Sequence, residues 1–149
     1  MKSFFLQFLF CSGLTISTAF AFQIRGMKTP DNFIVDPQTG FYYVSNVDGH
    51  RLSKDGRGFI SKVSPNGKLI DLRFIDSGKS GAILNAPKGL VIMGGDLYVT
   101  DIDRVLRFNL ELGKLIGMID LTTLGAISLN DLAIGPEQSL FVSDLPGNT

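Results

Sequence analysis

The chain has 149 residues, with fourteen Lys and Arg balanced by fourteen Asp and Glu, 44% hydrophobic residues and 19% charged residues. This composition is too apolar and too weakly charged for a disordered chain, and a formal net charge of zero offers no basic surface for general nucleic-acid binding. Seventeen glycines, together with many β-branched and aromatic residues, favour β structure over helix.

The N-terminus has the pattern of a secretory signal peptide. A lysine at position 2 is followed by the apolar run Phe4–Cys11, and Ala19–Ala21 matches an A-x-A cleavage site. Cleavage after Ala21 is predicted, so residues 1–21 are a signal peptide and residues 22–149 are secreted or periplasmic, without membrane attachment. A transmembrane anchor is the alternative, but the apolar run is short and interrupted by polar residues. The mature chain would contain no cysteine, which excludes disulfides and a cysteine nucleophile.

Ten short strands are predicted after the signal peptide. Apolar and aromatic runs alternate with turn residues, and Pro65–Gly67 between two such runs predicts a hairpin. The polar, Gly-rich stretch 47–58 is predicted to be a loop inserted between strands. Its acidic residues lack the spacing of a calcium loop, and it is assigned no function. The stretches that contain the strands are 30–37, 41–46, 59–63, 69–74, 87–92, 96–101, 104–109, 115–120, 130–134 and 139–144.

Three pairs of these strands repeat one pattern. Each pair has a polar entry, an apolar strand, a turn and a second strand that ends in Ser or Thr followed by Asn or Asp. The final residues Asn46, Asp101 and Asp144 lie 55 and 43 residues apart, and several short strands in a period of about 40–50 residues are typical of a β-propeller blade. These three residues are predicted to stabilise hairpin turns through local backbone amides. The predicted fold is all-β, a partial β-propeller of about two and a half four-stranded blades.

A propeller closes when its last blade packs against its first, which requires about four to eight blades. Residues 22–149 hold fewer, so the chain is interpreted as the N-terminal half of a longer propeller. The alternative interpretation is a short chain that assembles into a ring with copies of itself.

The sequence resembles the SMP-30/gluconolactonase/LRE-like family. Three segments carry the resemblance: residues 30–40, residues 85–90 together with 96–105, and residues 129–133. The resemblance implies a six-bladed propeller with a divalent metal ion (Ca²⁺, Mg²⁺ or Zn²⁺) in its channel and metal-dependent hydrolysis of a sugar lactone or related ester. The alternative is a non-catalytic, NHL-like propeller that binds a ligand or a partner protein in the cell envelope.

Three polar residues occupy the same place at the start of successive repeats. Because the first strands of propeller blades line the channel, Asp31, Lys88 and Asn130 are expected to converge. The resemblance implies that Asp31 and Asn130 are metal ligands and that Asn130, Asp131 and Lys88 contact the substrate. Asp31 stands where the family has a glutamate, and the Gly and Pro that follow it in the family are absent. The alternatives are a turn residue at Asp31, a strand-entry cap at Asn130 and a rim-covering lysine at Lys88. The matched residues identify no general base.

Overall fold

The computed structural model of the protein describes residues 21–145. The predicted signal peptide covers residues 1–21, and all of it except Ala21 lies outside the described residues. Between residues 21 and 145, no helix is long and apolar enough to cross a membrane.

The described chain is all-β, as predicted, and a strand overlaps each of the ten predicted stretches, within two residues at its ends where it extends beyond the prediction. Two short 3₁₀ turns lie between the strands, at Thr122–Leu124 and Pro136–Gln138. The strands are β1 (Pro30–Val35), β2 (Tyr42–Asn46), β3 (Phe59–Val63), β4 (Leu69–Asp76), β5 (Pro87–Met93), β6 (Asp96–Asp101), β7 (Arg104–Asn109), β8 (Lys114–Asp120), β9 (Leu129–Ile134) and β10 (Leu140–Asp144).

The strands form three antiparallel sheets in which chain neighbours pair. The first sheet has the order β1-β2-β3-β4, the second has the order β5-β6-β7-β8, and the third contains β9 and β10. Within residues 21–145, none of the three sheets closes on itself.

Tight turns join neighbouring strands where the sequence supplies glycine. Gly94 and Gly95 connect β5 to β6 with φ angles of +63° and +83°. A two-residue hairpin of type I′ needs positive φ at both positions, which glycine adopts without steric cost. Gly67 lies in the longer predicted hairpin between β3 and β4 and also has a positive φ angle, +82°, which glycine adopts readily.

The core lies between the sheets. One apolar cluster joins the first sheet to the second and includes Tyr43, Leu90 and Phe108. Another joins the second sheet to the third and includes Tyr98 and Leu132. The first strands are neighbours in this arrangement, because β1 contacts β5 and β5 contacts β9. The starts of the three repeats therefore lie side by side.

Candidate functional site

Each first strand is irregular at its start, and the irregularity positions the candidate residues. The pairing register with the second strand shifts after the first strand residue, so two residues are left outside the regular ladder. Irregularities of this kind redirect side chains and often occur beside functional sites. The entry cluster consists of these three pairs: Asp31-Asn32, Lys88-Gly89 and Asn130-Asp131.

Side-chain hydroxyls connect each entry pair to the next. Ser45 Oγ accepts a hydrogen bond from the Asn32 N–H at 3.0 Å and donates one to the Lys88 carbonyl at 2.7 Å. Thr100 Oγ1 repeats the arrangement one sheet later. It accepts from the Gly89 N–H at 2.8 Å and donates to the Asn130 carbonyl at 2.9 Å. A hydroxyl one residue before the end of each second strand thus holds the entry pair of the following repeat in place.

Gly89 allows β5 and β9 to approach closely. A Cβ atom at this position would lie 2.7 Å from the Asn130 carbonyl oxygen and 2.8 Å from the Asp131 Cα. Both neighbours are backbone atoms, so a side chain could be accommodated only if the strands moved apart. A side chain of the first sheet also reaches the third sheet at this place, that of Asn32. Its Nδ2 donates to Asp131 Oδ1 at 3.3 Å, a contact between the first and third sheets.

Lys88 is buried at the centre of the entry cluster. Its side chain is among the largest that are fully buried, and its ammonium donates to the Leu129 carbonyl at 3.0 Å and to Ser128 Oγ at 3.2 Å. Burial lowers the pKa of Lys88, and the nearby Asp31 carboxylate opposes that shift. The ammonium therefore lies between the second and third sheets, where the charge of Asp31 on the first sheet favours its protonated form.

Arg51 belongs to the charge distribution of the site, although the sequence analysis assigned its loop no function. Its charge also lowers the pKa of Lys88, after the larger effects of burial and Asp31. The loop that carries it is attached to the second sheet by the ion pair between Lys54 and Asp103. The available sequence signal was the length of the insertion, since a loop between a second and a third strand emerges at the same end of the sheet as the entry residues.

The prediction that Asn46, Asp101 and Asp144 stabilise hairpin turns is wrong. Their side chains accept hydrogen bonds from backbone N–H groups that precede the first strand of the same repeat. Asn46 accepts from Lys28 at 2.9 Å, Asp101 from Ala86 at 2.7 Å, and Asp144 from Ser128 at 2.8 Å. These residues hold the segment that precedes each entry pair, so they position the entry pairs indirectly, through the backbone.

A separate groove of about 600 Å³ lies at the other end of the strands. It opens between the β1–β2 turn and the turns of the second sheet. The Lys62 ammonium lies 4.8 Å from the centre of the Phe41 ring and 4.9 Å from that of Phe74. None of the four candidate site residues, Asp31, Lys88, Asn130 and Asp131, lines this groove.

The structure brings the three predicted entry segments together, but it gives their side chains different environments. Asp31 and Asp131 are exposed, Asn130 is half-buried and Lys88 is buried. Asp and Asn oxygens are suitable ligands for a hard divalent cation, whereas the Lys88 ammonium opposes one. Residues 21–145 contain no group of three or more His, Cys, Asp or Glu side chains placed to hold a metal ion.

Comparison with known proteins adds no family to these observations. The chain matches no protein-family model, and no curated protein matches it.

Proposed function

We propose that the three sheets are consecutive blades of a propeller resembling the SMP-30/gluconolactonase type, and that the entry cluster is part of its ligand-binding centre. The observation that supports this most is the side-by-side packing of β1, β5 and β9. An equivalent hydroxyl, of Ser45 or Thr100, connects each entry pair to the next. Equivalent backbone positions in successive repeats then face one common region. A site built in this way receives one polar residue from each blade.

The activity we propose for this centre is metal-dependent hydrolysis of a sugar lactone or related ester, in an exported protein. Asp31 and Asn130 supply oxygen ligands, and Asn130, Asp131 and Lys88 contact the substrate. A bound Ca²⁺, Mg²⁺ or Zn²⁺ ion would polarise the lactone carbonyl and lower the pKa of a bound water. The contact between Asn32 and Asp131 restrains the orientation of the Asp131 carboxylate beside this position.

Calorimetric titration of the purified protein with CaCl₂, MgCl₂ and ZnCl₂ tests the metal site. We expect at least one cation to bind, and Asp31→Ala to weaken that binding by about tenfold or more, because it removes a charged ligand. Asp71→Ala, on the outer strand β4, is the matched control and should bind the cation as the wild type does. Unchanged affinity in Asp31→Ala would remove Asp31 from the site.

Hydrolysis is tested with a simple sugar lactone, by measuring acid release at constant pH. Turnover that a chelator abolishes and the same cation restores supports the proposal. Turnover that is insensitive to the chelator, or cation binding without turnover, contradicts the proposed activity.

The second candidate function is non-catalytic binding of an anionic ligand, and the buried ammonium of Lys88 in the entry cluster favours it. The charge of Arg51 acts on the pKa of Lys88 in the direction opposite to that of Asp31, and less strongly. Such a site would bind the open-chain acid better than the neutral lactone. Gluconate binding in the presence of a chelator, weakened severalfold by Arg51→Gln, would support this function. Arg25→Gln, in the segment before β1, is the control.

A further inference from the structure

Each repeat has one position that faces the following sheet and one that faces the preceding sheet. Among the described residues, the first position is exposed in the third repeat and the second is exposed in the first repeat. Tyr43, Tyr98 and Phe141 are equivalent by register, since each pairs with the same position of its first strand. Their exposed fractions are 2%, 9% and 62%. Tyr43 and Tyr98 are each covered by the next sheet, whereas no described residue covers Phe141 in that way. We call this side of the third sheet the forward face; Ala133, Phe141 and Ser143 lie on it.

The opposite side of the first sheet shows the complementary pattern. Phe33, Leu90 and Leu132 are equivalent by register, and their exposed fractions are 64%, 4% and 6%. Leu90 packs in the cluster that contains Tyr43, and Leu132 packs in the cluster that contains Tyr98. Phe33 and Val35 remain exposed, and we call this side of β1 the rear face.

In the described part of the chain, the forward face of the third sheet also lacks the hydroxyl connection that joins the other sheets. Ser45 and Thr100 donate to the entry carbonyl of the following sheet, at Lys88 and Asn130. Ser143 is their equivalent, and its hydroxyl accepts from the Asp131 N–H at 3.0 Å. Within residues 21–145 it donates only to the Asp131 carbonyl of its own sheet, at 3.4 Å. A shallow cavity of about 330 Å³ lies beside it, lined by Asp131, Leu132, Ala133, Phe141, Val142 and Ser143.

We propose that the forward face of the third sheet binds the rear face of the first sheet of a second copy of this chain. The interface repeats one that the chain already forms twice. Phe33 of the second copy takes the place that Leu90 and Leu132 take within the chain and covers Phe141. The Ser143 hydroxyl donates to the Asp31 carbonyl of the second copy, as Ser45 and Thr100 do to their own neighbours. The two faces belong to opposite ends of the chain, so the association is head-to-tail.

A second copy is the occupant that the chain itself specifies. The rear face has a large apolar residue at the position that fills the interface in both internal examples, together with a carbonyl at the position of the acceptor. Exposed apolar faces of this kind are uncommon in proteins that remain monomeric. The association would also add Asp31 of one copy to the Asn130 and Asp131 side of the next. The inference holds independently of the chemistry at the entry cluster.

Sedimentation velocity of the protein purified from cells that express the full chain tests the interface, over about a hundredfold range of concentration. We expect concentration-dependent association, and we expect Phe33→Asp and Phe141→Asp each to yield monomers. Leu112→Asp, in the exposed turn between β7 and β8, is the matched control and should associate as the wild type does. Circular dichroism confirms that each variant is folded, and Phe33→Gln with Phe141→Gln provides the same test if an aspartate variant misfolds.

Mixing the two monomeric variants distinguishes a head-to-tail contact from a symmetric one. The Phe33→Asp chain keeps its forward face and the Phe141→Asp chain keeps its rear face, so an equimolar mixture should form dimers that contain one of each. A mixture that stays monomeric overturns the proposal. Folded wild-type protein that is monomeric at every concentration also overturns it, because another sheet or another protein would then be the occupant. Association that survives Phe33→Asp assigns the contact to a different surface.

Discussion

The second and third sheets contain the same repeat in two different surroundings. In the second sheet, the residues of β6 are buried throughout, with the first sheet on one side and the third on the other. In the third sheet, β10 alternates between half-buried and exposed residues, because one of its faces is open. Residue type hardly differs between the two strands, DLYVTD and LFVSD, so the difference in burial comes from the neighbouring sheets.

The largest difference is expected between Asp101→Ala and Asp144→Ala. Asp101 is fully buried and accepts hydrogen bonds from the Asn85 and Ala86 amides and from Arg104. Its removal leaves buried donors unpaired and should lower the free energy of unfolding by about 3–5 kcal/mol. Asp144 is half-buried, so its loss should cost about 1 kcal/mol. Urea denaturation measures both values, and equal losses would mean that the covering sheet does not control the energy of this contact.

The covered face of the first sheet can be examined by pH. Burial, and secondarily the Asp36 carboxylate, raises the pKa of Tyr43 to about 12. The unfolded chain loses this proton near pH 10, whereas the folded chain retains it until about pH 12. Stability should therefore fall as the pH rises between these values, by about 2–3 kcal/mol in total. Tyr43→Phe should abolish this part of the fall, as measured by urea denaturation at a series of pH values.

Tyr42→Phe is the control for that experiment, since Tyr42 is half-buried and points to the other face of the same strand. If the wild type and Tyr43→Phe lose stability in parallel above pH 10, the interface around Tyr43 is hydrated, and the contrast between covered and open faces is weaker than the structure indicates.

The smallest difference is expected for the hydroxyls at the ends of the second strands. Thr100→Val leaves the Gly89 N–H and the Asn130 carbonyl without their partner and should cost about 1–2 kcal/mol. Ser143→Ala loses a bond from the exposed Asp131 amide and should cost about 0.5 kcal/mol. Thermal or urea unfolding resolves the two. In the monomeric protein, a loss in Ser143→Ala as large as that in Thr100→Val would contradict this difference.

Much of the fold could be predicted because strand signals are local. The alternation of apolar residues and the turn residues at Pro65–Gly67 and Gly94-Gly95 depend on a few consecutive positions, so the ten strands were placed correctly. The similar position of Asp31, Lys88 and Asn130 in the three repeats could also be recognised. The burial of Lys88 could not, because the atoms that receive its hydrogen bonds are about forty residues away in the chain.

The role of Asp101 shows the same limit. Its sequence context, a polar residue before a turn, favoured a local contact, whereas its carboxylate accepts from amides fifteen and sixteen residues earlier. Arg51 was missed because its loop carries no recognised motif. Its relation to Lys88 arises only when the first and second sheets pack together.

The sequence by itself determined the strands, their turns, the repeat and the identity of the residues at each entry, because backbone preference and hydrophobic alternation act over a few neighbouring residues. Only the tertiary structure decided which of the equivalent residues are buried, which carbonyl each hydroxyl reaches and which charges come together at the entry cluster. These properties depend on how one sheet packs against the next. They therefore depend on distances through space that the order of residues along the chain does not specify.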